Sequence, residues 1–159
     1  EAQRSVDGDI VVEITGDCIL TDPGIVDLGV ETFFANDCDV VTNCGQVLTW
    51  PMGQYFQVFP LALLEEVERE IKDPAVREHV SLYFYDHPER YRIVDVPAPT
   101  RWRQPSYRMQ LDYPEDLSFI NEVYRRLEEP FGIEDIMALL RDEPELLQIN
   151  IHCREKDAR

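Results

Sequence analysis

Basic residues are scarce in this chain of 159 residues: 15 lysines and arginines stand against 32 aspartates and glutamates, a formal charge of −17. That surplus excludes duplex nucleic acid and anionic membrane as main partners, because both recruit basic surfaces. No apolar run approaches the roughly 18 residues of a membrane span, and no signal or transit peptide opens the chain. Cys18, Cys38, Cys44 and Cys153 form no C-x-x-C pair. Nothing marks the chain for secretion, so reduced thiols and a cytoplasmic location are expected. A zinc site on His152 and Cys153 would have adjacent ligands and no second pair, a poor fit to structural zinc. Internal repeats and low-complexity stretches are also missing. What remains, 44% hydrophobic and 10% aromatic, is the composition of a globular domain, one domain over residues 1–159. Glu1 is not a start methionine and leads quickly into a strand, so the chain reads as a fragment of something longer.

The organising stretch is Ile10 to Gly24. Val11, Val12 and Ile14 form a β-branched run that stops at Gly16-Asp17, and Asp22-Pro23 then supplies an N-cap and a first helical residue. A strand, loop and helix follow one another. In an open α/β sheet the loops at the carboxyl ends of strands line the ligand crevice, which puts Asp17 where chemistry usually sits. Helical spacing runs to Phe34, and Cys38 to Thr42 reads as the next strand, a βαβ rhythm that predicts a mostly parallel sheet. Asp37 and Asp39 flank Cys38 in a D-x-D pattern, best explained as a loop edge. Trp50 to Gly53 is a turn, Gln57 to Phe59 a brief strand, and Leu61 to about Ile71 a helix. Lys72-Asp73-Pro74 breaks it and starts another, Ala75 to about Tyr85, with Val76, Val80 and Phe84 on one face. Tyr91 to Val96 and Tyr107 to Leu111 read as strands. Pro114 to Glu129 is the clearest helix, with Leu117, Ile120, Tyr124 and Leu127 as its buried stripe. Ile133 to Arg141 and a short piece around Pro144 to Ile149 close the fold, before a charged tail.

Two local patterns leave alternatives open. Asp112 follows the strand-like Met109 to Leu111 much as Asp17 follows its strand, yet D-Y-P-E also reads as a capping box, with Asp112 as cap and Glu115 reaching back. Asp17 escapes that ambiguity, since Asp22 already caps the next helix. The second pattern is a local reversal of charge: Arg90, Arg92, Arg101, Arg103 and Arg108 share a segment whose only carboxylate is Asp95. Their guanidinium forks suit phosphate or carboxylate, or else acidic helices of the same chain or of a second subunit. Arg108, four residues before Asp112, is the best placed to reach a substrate. His79, beside Glu78, has the chemistry of an acid or base, but helix neighbours point apart.

The blocks I-T-G-D-C-I-L-T-D-P (14–23), R-E-H-V-S-L-Y (77–83), L-D-Y-P-E-D-L (111–117) and F-G-I-E-D-I-M-A-L-L (131–140), in this order and spacing, resemble the spore-coat polysaccharide cytidylyltransferases. The resemblance implies an α/β, Rossmann-like nucleotidyltransferase sheet with flanking helices, cytoplasmic and homodimeric. It implies transfer of CMP from CTP to an acidic or modified sugar, with Mg²⁺ and release of pyrophosphate. The family's metal-holding aspartates map onto Asp17 and Asp112, and an arginine ahead of the second block maps onto Arg108. Arg77, His79 and Gln57 become substrate-binding candidates. The chain departs from the pattern twice. It lacks the glycine-rich, arginine- and lysine-bearing loop, so it corresponds to roughly the C-terminal two thirds of the family. Tyr55 and Gln57 also replace the acidic positions of a G-x-D-x-E-V-F block. The alternative expectation is a non-catalytic dimerisation or interaction module on the same fold, and a metal-dependent hydrolase lacks any matching nucleophile motif.

Overall fold

The computed structural model describes residues 5, 8–72 and 80–154. Strand β1 (Ile10–Glu13) leads through the Asp17 loop into helix α1 (Pro23–Ala35), where the Asp22 carboxylate accepts from the Gly24 N–H at 2.7 Å, as the Asp-Pro pair predicts. Strands β2 (Val40–Thr42) and β3 (Gln57–Pro60) follow, then helix α2 (Leu61–Glu70). Helix α3 is described over Val80–Asp86, and strand β4 covers Ile93–Asp95. Helices α4 (Pro114–Arg126) and α5 (Ile133–Asp142) complete the chain with a 3-10 turn at Pro144–Gln148.

The sheet order is β1-β3-β2-β4, with β3 antiparallel to both its neighbours and β2 parallel to β4. The expected mostly parallel sheet is therefore corrected to a mixed one. β1, β2 and β4 do run the same way, as the βαβ rhythm requires, but β3 returns from the Trp50 turn and inserts between β1 and β2. Periodicity within a strand carries its length and faces, not its neighbour. The carboxyl ends of three strands and the start of β3 consequently meet at one edge.

Alternation along each strand gives the sheet two apolar faces. Val41 and Val58 face a larger core that includes Trp50, Phe56, Met109, Phe119, Val123 and Ile136. Val11, Val40 and Phe59 face a smaller one with Val67 of α2 and Tyr83 and Phe84 of α3. Full burial of such side chains is worth roughly 1.5–3 kcal/mol each. On α4 the buried positions are Asp116, Phe119, Ile120 and Val123, while Leu117 is 47% and Tyr124 40% exposed. The expected stripe is thus rotated by one residue, because Asp116 goes inward to meet an arginine and carries the helix face with it. Tyr107 to Leu111 is extended but forms no ladder; its pairing is a single parallel bridge between Met52 and Arg108. Gly53 makes that approach possible. It holds φ +89°, and a Cβ there would stand 2.7 Å from the Gln110 backbone nitrogen. No described helix is long and apolar enough to cross a membrane.

Candidate active site

Asp17 lies in the turn that β1 delivers to the carboxyl edge of the sheet. Its backbone carbonyl accepts from the Leu111 N–H at 3.0 Å, which sets Leu111, the neighbour of Asp112, directly against it across 94 positions of sequence. Its Oδ2 accepts from Gln110 Nε2 at 2.7 Å. Its Oδ1 is buried and has no hydrogen-bond partner among the described residues. A carboxylate oxygen withdrawn from water without a donor is costly unless something else balances it.

Asp112 is held from behind. Its Oδ2 accepts from Arg108 Nη2 at 2.5 Å, and its backbone N–H donates to Asp116 Oδ2 at 2.9 Å. Asp116 is fully buried and takes four further donors: Arg108 Nε at 2.8 Å and Nη2 at 2.9 Å, the Tyr113 N–H at 2.9 Å and Asn150 Nδ2 at 2.9 Å. Burial alone would push its carboxyl up, but the Arg108 fork and these amide donors hold it below the usual carboxylate range. The capping box of α4 is therefore built by Asp116, one residue beyond the expected Glu115, and Tyr113 rather than Asp112 is the N-cap. That leaves the Asp112 side chain outside the cap.

Arg108 is 5% exposed, and Nη1 also lies 3.1 Å from Met52 Sδ, so every guanidinium nitrogen has a partner within the chain. The expectation that it faces the substrate's anionic groups is corrected: its fork is turned inward onto Asp112 and Asp116, and it bears on the site through Asp112. The other arginines of its segment are also engaged internally. Arg90 meets Glu66 and Glu70, Arg92 meets Asp37 and Asp39, Arg101 meets Glu134, and Arg103 donates to the Ala98 carbonyl. The D-x-D pattern is thus a loop edge clasping Arg92. Gln57 sits at the start of β3, at the same sheet edge as Asp17 but on the next strand. Arg77 and His79 lie outside the described residues.

Sequence reasoning missed Gln110, Asp116 and Asn150. A period-two reading of the extended segment, 108, 110, 112, carries a signal for Gln110. Asn150 donates to both Arg108 O and Asp116, from 42 and 34 residues away, and local pattern holds no trace of that.

Among the described residues no group of three or more His, Cys, Asp or Glu is placed to hold a metal. A paired-aspartate site fits hard divalent ions nonetheless: Mg²⁺ keeps several waters and takes one or two carboxylates together with substrate phosphates. The orphaned Asp17 oxygen is the atom that such an ion would satisfy.

No family model matches the chain. It is 28% identical over 145 residues to the spore coat polysaccharide biosynthesis protein SpsF of Bacillus subtilis, covering 89% of this chain and 59% of that protein. An uncharacterized protein of Methanocaldococcus jannaschii is also 28% identical, over 99% of this chain and 64% of its own length. The chain thus spans about three fifths of the curated relatives it matches. A solved cytidylyltransferase from Leptospira borgpetersenii superposes with a TM-score of 0.85 at 29% identity, covering 92% of this chain and 62% of that one. With its mixed sheet, flanking helices and paired blocks at the sheet edge, the chain is a homologue of SpsF that shares the α/β fold of a cytidylyltransferase.

Proposed function

We propose that this chain carries the aspartate pair of a sugar cytidylyltransferase, in which a sugar hydroxyl bonds to the α-phosphorus of CTP as the α–β anhydride bond breaks and pyrophosphate leaves. The observation that carries the reading is the Asp17 carboxylate, fixed by Gln110 on one oxygen, partnerless on the other, and set against the Leu111-Asp112 backbone. Asp17 and Asp112 would hold Mg²⁺, which when bound supplies charge neutralisation at the phosphates. Gln110 orients Asp17. Arg108 is a positioning residue: with Asp116 and Asn150 behind it, it fixes Asp112 at the crevice edge, so little reorganisation remains at the moment of reaction. The chain's own contribution is orientation and charge placement, with Gln57 on the adjoining strand facing the sugar side.

The experiment is Mn²⁺ binding followed by electron paramagnetic resonance, Mn²⁺ standing in for Mg²⁺, on the wild-type chain with CTP. Asp17→Asn should weaken binding by at least about tenfold, a loss of about 1.4 kcal/mol, with the unfolding midpoint held. Asp112→Asn should do the same. Unchanged Mn²⁺ binding in both variants overturns the assignment. In the complete natural polypeptide, pyrophosphate release from CTP with a panel of sugars should fall with the same two substitutions.

A further inference from the structure

The sheet face beneath α2 and α3 changes character between two adjacent cross-strand rows. Val11 pairs with Phe59 and Val40 with Ile93, giving an apolar row that belongs to the smaller core. Two residues nearer the edge where β1, β2 and β4 end and β3 begins, Glu13 pairs with Gln57, Gln57 with Thr42, and Thr42 with Asp95. Four polar side chains thus cross four strands in register on one face, a span of roughly 14 Å at about 4.8 Å per strand. Thr42 is buried, Glu13 and Gln57 are half-buried and Asp95 is exposed, so the row runs from the interior to the surface.

Its atoms are arranged to accept. Tyr85 of α3 donates its hydroxyl to Thr42 Oγ1 at 2.9 Å, and burial pushes that phenol far above its ordinary range, so it keeps its proton. Gln57 Nε2 donates to Cys44 Sγ at 3.3 Å, leaving Oε1 buried with no hydrogen-bond partner among the described residues. At the β4 end the row opens into a cavity of about 620 Å³ lined by Asp95, Tyr85, Ile93, Gly45, Val47 and Arg92, among others. The Gly45 loop packs so closely that a Cβ there would stand 2.5 Å from Asp95 Oδ2. Arg92, the one basic residue among the described residues lining the cavity, is already engaged by Asp37 and Asp39. Of the row, Asp95 is the member that lines the cavity, and among the described lining residues no cation is left unengaged.

We propose that this row and cavity form the sugar-reading subsite, and that it selects a sugar bearing an amino group over a sugar acid. The inference rests on the cytidylyltransferase reading for its place in a reaction, and on the row alone for its selectivity. An ammonium in the cavity brings three donors and an opposite charge to Asp95, and a hydroxyl brings one donor and no charge. A sugar carboxylate brings acceptors and like charge to Asp95, with no unengaged cation among the described lining residues to neutralise it.

Saturation-transfer NMR with D-glucosamine, D-glucose and D-glucuronic acid on the wild-type chain at near-neutral pH tests it. Glucosamine should bind tightest and glucuronate weakest, about tenfold apart or more. Asp95→Asn should bring the two within about twofold, and Gln57→Met should weaken glucosamine and glucose together. Equal binding of glucuronate, an undiminished preference in Asp95→Asn, or no saturation of any sugar overturns the proposal. Mn²⁺ binding on the same samples separates the two claims. Normal Mn²⁺ binding without sugar preference removes only the subsite, and sugar preference without Mn²⁺ binding removes only the CMP-transfer reading.

Discussion

The two polar assemblies of this protein lie at the same end of one sheet and are built on opposite principles. Behind Asp112, the Arg108, Asp116 and Asn150 knot is sealed: the charged groups are buried, and five donors converge on Asp116 from Arg108, Asn150 and the backbone of 112 and 113. In front, the Asp17 turn and the Glu13 to Asp95 row keep buried oxygens without donors among the described residues, on Asp17 and Gln57. A saturated buried network fixes geometry, and an unsaturated one stores an unmet demand that a ligand relieves. On the proposed reading, the sealed knot is scaffold and the open edge is the candidate site.

That contrast predicts opposite responses to mutation. The largest effect belongs to Asp116→Ala, which leaves Arg108 buried with Asp112 as its only carboxylate and strips acceptors from Asn150 and two backbone amides. Losing one partner of a buried pair costs about 3–5 kcal/mol, measurable as a collapse of the urea midpoint. The pH dependence follows from the same carboxylate. Its folded pKa is depressed, so its stabilisation is complete above the unfolded value of about 3.9 and is lost as pH falls through the folded value. Midpoints should fall steeply below about pH 4, and Asp116→Asn should flatten that part of the curve. A midpoint for Asp116→Ala within about 1 kcal/mol of wild type would mean that the knot is not scaffold.

The candidate site was more legible from sequence than the knot behind Asp112. Asp17 announces itself locally, as a strand ending in Gly-Asp with the helix cap already assigned to Asp22. Helices α1 and α5 are local too, and their bounds match the pattern closely. What escaped depends on residues far apart in sequence. β3 entering between β1 and β2, Gln110 reaching Asp17, and Asn150 closing on Asp116 are all products of chain reversal at the Trp50 turn and of the final turn docking. The rotated stripe of α4 has the same origin, because hydrophobic periodicity treats an aspartate as outward-facing and cannot see the buried arginine that draws it in.

A far smaller effect is expected one residue away. Glu115 reads as the capping residue from sequence, but its side chain stands near His152 at 3.9 Å on the surface, with the cap made by Asp116. Glu115→Ala should therefore shift stability by only about 0.5 kcal/mol, the worth of one exposed acid near a helix N-terminus. A loss comparable to that of Asp116→Ala would restore the sequence-based cap and break the distinction between the two neighbours.

The smallest effect tests the open edge itself. Gln57 occupies a position where its amide makes one contact, to the weak acceptor Cys44 Sγ at 3.3 Å, while Oε1 is buried without a hydrogen-bond partner among the described residues, so the side chain contributes little to folding. Methionine fills nearly the same volume with no polar demand. Replacing a polar group that is already unsatisfied by an apolar one of similar shape is close to neutral or stabilising. Gln57→Met should accordingly leave the unfolding midpoint unchanged or raise it slightly, by less than the Glu115→Ala shift, while the sugar signal in saturation transfer drops. A clear destabilisation would show that Gln57 is satisfied in solution and belongs with the scaffold, and the open edge would then contract to the Asp17 turn alone.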